Sequence, residues 1–153
     1  MADPSSIPLV RQGELIKEIA QRIVGVVSGE WSVVRYEIET VTSLQQDLIY
    51  VTRPDGNEDR EVAPEEVVDL DIELRSVMYK PGAGAWFSAT IVVTNTGSDT
   101  GSLDAHFNYD DEPGWDYPVD PVVYLRDLER FPRDDSAIPD WLRQRLQEAD
   151  AAQ

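Results

Sequence analysis

The sequence predicts an α+β fold: a single domain with a small, mostly antiparallel sheet of about four strands and helices packed on one face of it. Two patterns lead to this class. Apolar residues recur at three- and four-residue steps in some segments and alternate with polar residues in others, with proline and glycine between the segments. The length of 153 residues, with 41% hydrophobic and 8% aromatic residues, suits one globular domain. The expected order is α-β-β-α-β-β-α-α, with residues 1–8 and 149–153 flexible.

The first half of the chain predicts a helix followed by two strands. Residues 9–27 carry apolar side chains at helical spacing, and the SG dipeptide after them supplies a stop signal. Residues 31–40 alternate apolar with charged side chains, which is typical of a half-buried strand. Residues 46–53 form another β-like run that ends at the turn sequence PDGN. We expect these two strands to pair with each other in antiparallel fashion.

A second helix and a second hairpin follow. Residues 64–79 begin with a proline and two glutamates, which favour the first turn of a helix, and the sequence PGAG ends it. Residues 86–95 and 102–109 indicate two strands around the turn TGSDTG. Along residues 102–109 one face is apolar and the other polar. Because a helix connects the second strand to the third, parallel pairing of those two strands stays open.

Two short helices are predicted near the end of the chain. One begins at Pro121 and runs to about Arg130, where an FP dipeptide breaks it. The other begins at the sequence IPD and has Leu142 and Leu146 on its apolar edge. Arginines at five positions between residues 126 and 145 alternate with acids, which usually indicates a solvated face.

The formal net charge of −17 is the value that departs most from an ordinary domain. Such a charge repels nucleic acid and anionic membranes and speeds the encounter with basic proteins. A solvated acidic surface that keeps the protein in solution is the commoner explanation of such a charge. The absence of cysteine excludes disulfides and thiolate metal sites. The sequence MADPSSIPLVRQG has no apolar run of signal-peptide length, and no stretch approaches the roughly 18–20 apolar residues of a membrane span. We therefore expect a cytoplasmic protein without membrane contact.

The acidic stretch DAHFNYDDEPGWDYPVD, residues 104–120, is the main candidate for function; residues 110–120 are termed the acidic loop. Neither lysine nor arginine occurs between Pro81 and Leu125, so these carboxylates have no counter-ion nearby in sequence. Such a cluster is solvated, binds a metal or meets a positively charged partner. Trp115 and Tyr117 add rigid aromatic area of the kind enriched at interfaces. The predicted partner-binding residues are Asp110, Asp111, Glu112, Trp115, Asp116, Tyr117 and Asp120.

Catalytic chemistry has little support in the sequence. His106 is the only histidine, and it can serve as a general base beside Asp104 or Asp110, but a partly exposed strand residue is the commoner case. The GAG sequence at residues 82–84 precedes a strand instead of a helix N-terminus, so it favours a tight turn over a phosphate loop. We expect no enzyme activity and no cofactor.

Calcium is the remaining ligand to weigh. The acidic loop supplies carboxylate oxygens at short spacing, yet the EF-hand order of ligands is absent and three prolines stiffen the segment. A regulatory or structural module with a calcium-dependent loop therefore stands as the alternative, and no metal ligands are assigned. For each loop residue a plain structural role also stays open, in which Trp115 packs the loop onto the core and the acids remain in water.

Residues 107–146, FNYDDEPGWDYPVDPVVYLRDLERFPRDDSAIPDWLRQRL, resemble the C-terminal half of the YezG-like family of bacterial immunity proteins. Members of that family have a strand that ends in an aromatic and acidic run, then an acidic aromatic loop, then a helix that leads to a segment of the type LE-x-F/L-P. The corresponding segments here are NYDD at residues 108–111, the part of the acidic loop from Glu112 to Asp120, and LERFP at residues 128–132. The closing IPDWL and the Trp-led strand at residues 31–40 also suit the family layout.

The resemblance implies a cytoplasmic antitoxin that blocks a cognate toxin domain, often a nuclease, by stoichiometric binding. The charge agrees independently, because nucleases bind phosphates and tend to carry basic clefts that an acidic protein can occupy. We therefore expect a basic toxin protein as the partner and no direct contact with nucleic acid. The identity of the toxin and the oligomeric state do not follow from the sequence.

Overall fold

The computed structural model describes residues 6–97 and 101–152, and for residues 6 and 7 the backbone alone. The elements, in chain order, are α1 (Ser6–Gly25), β1 (Val33–Val41), β2 (Leu44–Thr52), β3 (Glu58–Glu61), α2 (Glu65–Val77), β4 (Ser88–Thr94), β5 (Ser102–Asn108), α3 (Val122–Arg130), a 3-10 turn (Asp135–Ala137) and α4 (Asp140–Ala151).

The strands form one antiparallel sheet in the order β3-β2-β1-β4-β5, which confirms the predicted α+β class. The count of about four strands missed β3, whose sequence EDRE lacks the apolar alternation of a half-buried strand. This short strand occupies a sheet edge, where charged residues are common because they discourage pairing with other chains. Parallel pairing of the second and third predicted strands, β2 and β4, does not occur. Strand β4 instead pairs with β1, and this pair is antiparallel.

Residues at both chain ends belong to helices. Residues 6–8 are part of α1, while residues 1–5 lie outside the described residues. At the other end α4 continues to Ala151, and Ala149 is only 2% exposed, because the small side chain faces the core. The flexibility of the two ends stays a prediction. Residue 153 lies outside the described residues, as do residues 98–100 of the predicted turn between β4 and β5.

The chain divides into two compact units. The first contains the chain up to Glu37 together with Asp47–Met78 and Thr90–His106. The second contains Ile38–Gln46, Tyr79–Ala89 and the chain from Phe107 onwards. The single domain stays a prediction.

In the first unit α1 packs against α2. Leu15, Ile19 and Ile23 follow each other at four-residue steps along α1 and are fully buried, as the helical spacing of apolar residues predicts. Alternate side chains of β1, among them Val34 and Tyr36, are also buried. Burial of these apolar side chains is the main stabilising term in this unit.

Tyr36 brings a polar group into that buried surface. Its hydroxyl lies 2.5 Å from Asp71 Oδ2 in α2 and 2.7 Å from Asp47 Oδ2 in β2. Burial raises the pKa of Tyr36 far above its ordinary value, and the two carboxylates raise this pKa further. Tyr36 therefore keeps its proton in the folded protein and links β1 to both neighbouring elements of its unit.

We expect Tyr36→Phe to lower the free energy of unfolding by about 1–3 kcal/mol at neutral pH, because buried Asp71 loses a hydrogen-bond donor. The pH dependence should change as well. Tyrosine in the unfolded chain releases its proton near pH ~10, whereas folded Tyr36 retains it, so the stability contributed by this proton is present below that pH and is lost above it.

Urea unfolding followed at about pH 8 and about pH 10.5 measures both effects. Wild type should lose more stability between these two conditions than Tyr36→Phe does. Tyr50→Phe removes the hydroxyl of a half-buried tyrosine on the neighbouring strand and is the matched control. Equal alkaline losses in wild type and Tyr36→Phe would contradict the assignment.

Candidate functional site

The acidic loop belongs to the second unit, whose core contains Val41, Phe87, Tyr124 and Leu142. Helices α3 and α4 pack against each other there. Asp127 in α3 is buried, and its carboxylate accepts hydrogen bonds from both the backbone N–H and the hydroxyl of Thr42, each at 2.7 Å. These contacts fix the helix that follows the acidic loop.

Asn108, the last residue of β5, shapes the start of the acidic loop. Its Oδ1 accepts the backbone N–H groups of Asp110 and Asp111, and its Nδ2 donates to the carbonyl of Asp111 at 2.9 Å. The indole N–H of Trp141 donates to the carbonyl of Asp110 at 2.7 Å. The backbone is thus well bonded, while the Asp110 side chain is 84% exposed and Asp111 is exposed too.

Two strand residues hold the middle of the acidic loop. Glu39 in β1 accepts the backbone N–H of Gly114 at 3.0 Å and also accepts a hydrogen bond from the Ser88 hydroxyl. Gln46 in β2 accepts the backbone N–H of Asp116 at 2.9 Å. Because these bonds use only backbone atoms of the loop, the Asp116 side chain stays exposed.

Trp115 packs the acidic loop onto the core of the second unit. Its ring is half-buried against the cluster that includes Phe87 and Tyr124, and its Nε1 donates to the Tyr124 hydroxyl at 3.0 Å. Of the two roles left open for Trp115, packing onto the core is the one observed. Tyr117, two residues later, is 47% exposed.

The expectation that the loop acids lack internal counter-ions is wrong for Glu112 and for Asp110, whose Oδ1 lies 3.8 Å from Arg133 Nη1. Arg145 in α4 donates from Nε and Nη2 to Glu112 and from Nη1 to Glu148, with N–O distances between 2.9 and 3.3 Å. The hydrogen bonds to Glu112 and then Glu148 raise the pKa of Arg145 above its ordinary value. Asp120 also has an internal role, because its Oδ1 accepts the N–H of Val122 at the start of α3.

A cavity of about 480 Å³ lies beside the acidic loop and is termed the loop cavity. Burial raises the pKa of Tyr124 in its wall, although the hydrogen bond from Trp115 opposes that shift. The lining residues that carry charge or an aromatic ring are Glu112, Trp115, Asp116, Tyr117, Tyr124, Arg145 and Glu148.

Arg133 is the buried cation of this unit, contrary to the expectation that the arginines near the chain end form a solvated face. Its side chain is 1% exposed. Nη2 donates to the carbonyls of Tyr109, at 2.5 Å, and Ala85, at 3.1 Å, and Nη1 donates to the carbonyl of Ala137 at 3.0 Å. The guanidinium carbon lies 4.9 Å from the centre of the Phe87 ring. Arg133 thereby fixes the backbone immediately before the acidic loop.

The tight turn predicted at residues 82–84 is present and makes room for Arg133. Gly82 and Gly84 both have positive φ angles. A side-chain carbon at Gly84 would collide with Arg133 Nε, so glycine is required there for steric as well as conformational reasons.

The other sequence candidates are not brought into a site. His106 and Asp104 are exposed on β5. Among the described residues no three histidine or carboxylate side chains stand close enough together to hold a metal ion, so the calcium-dependent alternative gains no support. None of the helices in the described ranges is long and apolar enough to cross a bilayer.

We expect Arg133→Met to lower the free energy of unfolding by about 2–4 kcal/mol, because three backbone carbonyls lose a donor that is itself buried while the apolar stem is retained. Arg143→Met is the control, since Arg143 is half-exposed and its partner Asp135 is highly exposed. That control should change the free energy by less than about 1 kcal/mol. Urea unfolding compares the two; similar losses would contradict the structural role of Arg133.

No protein-family model matches the chain, and comparison with curated proteins finds no significant match. The resemblance of residues 107–146 to the YezG-like immunity proteins therefore stays a prediction, and any function must be argued from the site itself.

Proposed function

We propose that this chain is a non-enzymatic immunity protein that acts in the cytoplasm and neutralises a cognate toxin domain by stoichiometric binding through the acidic loop. The observation that carries the proposal is the combination of exposed acidic side chains with a bonded loop backbone. Asp110, Asp111 and Asp116 are exposed, while their backbone N–H or carbonyl groups are bonded to side chains of the second unit.

A loop held in this way suits protein binding, because little conformational entropy is lost when a partner immobilises it. The exposed carboxylates favour a partner with a basic surface and accelerate its approach. The net charge of −17 acts in the same direction over longer distances. A nuclease toxin fits this description, since its substrate-binding cleft must attract phosphates.

The predicted partner-binding residues divide into two roles in this proposal. Asp110, Asp111, Asp116 and Tyr117 present exposed side chains for contact with the toxin. Trp115, Glu112 and Asp120 act mainly by holding the loop in shape through the indole contact, the ion pair with α4 and the bond at the start of α3.

The triple change Asp110→Asn, Asp111→Asn and Asp116→Asn should slow association with the toxin domain roughly tenfold at low salt and flatten the salt dependence of the rate. The loop backbone should keep its hydrogen bonds, since these use backbone atoms of the three residues; the Asp110 carboxylate also lies 3.8 Å from Arg133 Nη1, an ion pair that its change to asparagine weakens. The toxin domain is to be sought as a small basic C-terminal domain in a neighbouring reading frame. Stopped-flow binding to that domain measures the rate, and growth during co-expression measures protection.

The matched control changes Asp69, Asp104 and Asp150 to asparagine, three exposed acids outside the acidic loop. It removes the same formal charge and should alter the rate much less. Equal slowing by both triple variants would show that overall charge, and not the acidic loop, guides binding. Failure of the wild-type chain to bind the toxin domain or to protect cells would overturn the immunity function.

A further inference from the structure

We propose that the loop cavity accepts an arginine side chain of the partner protein, with the guanidinium between carboxylates and aromatic rings. The inference rests on the proposed function and specifies the chemistry of its central contact. The volume of about 480 Å³ lies within the range of roughly 300–1,000 Å³ found for ligand pockets, so the cavity is large enough for a side chain.

The charges of the cavity favour a cation. Three carboxylates line it, those of Glu112, Asp116 and Glu148, against the single guanidinium of Arg145. Arg145 already donates from all three of its nitrogens to Glu112 and Glu148. An anion would therefore have to displace these bonds, whereas a cation meets carboxylate charge that one guanidinium does not balance.

The aromatic rings of the wall favour a planar cation. Tyr117 is exposed enough to contact an incoming group, and the half-buried Trp115 also lines the cavity. Cations bind over the faces of tyrosine and tryptophan rings, and guanidinium also stacks on them.

Arginine fits these walls better than lysine does. A guanidinium offers five N–H donors in a fixed fork that matches carboxylates in pairs, whereas an ammonium group is a compact and strongly hydrated point charge. The cavity is also preformed, because Glu39 and Gln46 hold its loop wall through the backbone of Gly114 and Asp116. Binding then requires no reordering of the loop.

The test uses the indole N–H signals of the four tryptophans in proton–nitrogen NMR spectra. Nα-acetyl-arginine amide is the probe. Nα-acetyl-lysine amide carries the same charge without the planar group, and Nα-acetyl-citrulline amide has the planar group without the charge. The Trp115 signal should shift saturably with the arginine probe, at a dissociation constant about tenfold or more below that for citrulline. The Trp31 and Trp86 signals, which lie outside the cavity lining, should stay in place.

Variants of the cavity wall test whether the arginine probe binds in the loop cavity. Asp116→Asn and Tyr117→Ala remove exposed parts of the wall and should each weaken the arginine probe several-fold. Asp150→Asn makes the same charge change on α4 outside the cavity lining and should leave the probe affinity unchanged.

The other outcomes overturn either the cavity inference or the immunity function, and they distinguish the two. Equal binding of the lysine probe would exclude selection of guanidinium, and equal binding of citrulline would exclude a charge-based contact. If no probe shifts the Trp115 signal while the toxin domain is still bound and blocked, the cavity inference fails and the immunity function stands. If the toxin domain is not bound but the arginine probe is, the immunity function fails instead.

Discussion

The buried guanidinium of Arg133 is the constraint on which the second unit depends. It joins the carbonyls of Ala85, Tyr109 and Ala137, which come from three segments far apart in sequence. A backbone carbonyl that is withdrawn from water needs a donor, and this one buried side chain supplies donors to three such carbonyls together. Because Tyr109 directly precedes the acidic loop, the point at which the loop leaves the sheet is set by this buried cation. Gly84 is required for the same reason, since any side chain there would occupy the space of Arg133.

The acidic loop combines a bonded backbone with exposed charge. Carboxylates that repel each other would normally spread a flexible segment apart, and the chain already carries a net charge of −17. Here Glu39, Gln46 and Asn108 accept the N–H groups of the loop, and Arg145 pairs with one of its acids. These bonds to the loop backbone oppose the repulsion among the remaining carboxylates, of which Asp111 and Asp116 are exposed. Their charge stays available to a partner.

Local periodicity predicted most of the fold, because helices and half-buried strands repeat their apolar residues at characteristic steps. The edge strand β3 was missed since it buries little and therefore has no apolar pattern. The position of the acidic loop was also predictable, because the local sequence is rich in acids and contains neither lysine nor arginine. Its ion pair was not, because Arg145 and Glu112 are 33 residues apart and only the packing of α4 brings them together. One anchor did leave a local signal: an asparagine before a polar segment, as in the sequence NYDD that begins at Asn108, favours a turn in which its side chain accepts the backbone N–H groups two and three residues later.

The rate at which a basic protein approaches this chain and the time for which it stays bound depend on different features of the molecule. Net charge governs how fast a basic protein approaches, and many exposed acids of this chain contribute to it almost interchangeably. Residence time depends instead on desolvated contacts of defined shape, which scattered surface charges do not supply. The loop cavity is a place where carboxylates, a half-exposed tyrosine and a preformed wall coincide. A protein that used charge alone would attract every basic surface equally. Coupling that charge to a shaped aromatic cavity is what allows an acidic protein to hold one basic partner in preference to others.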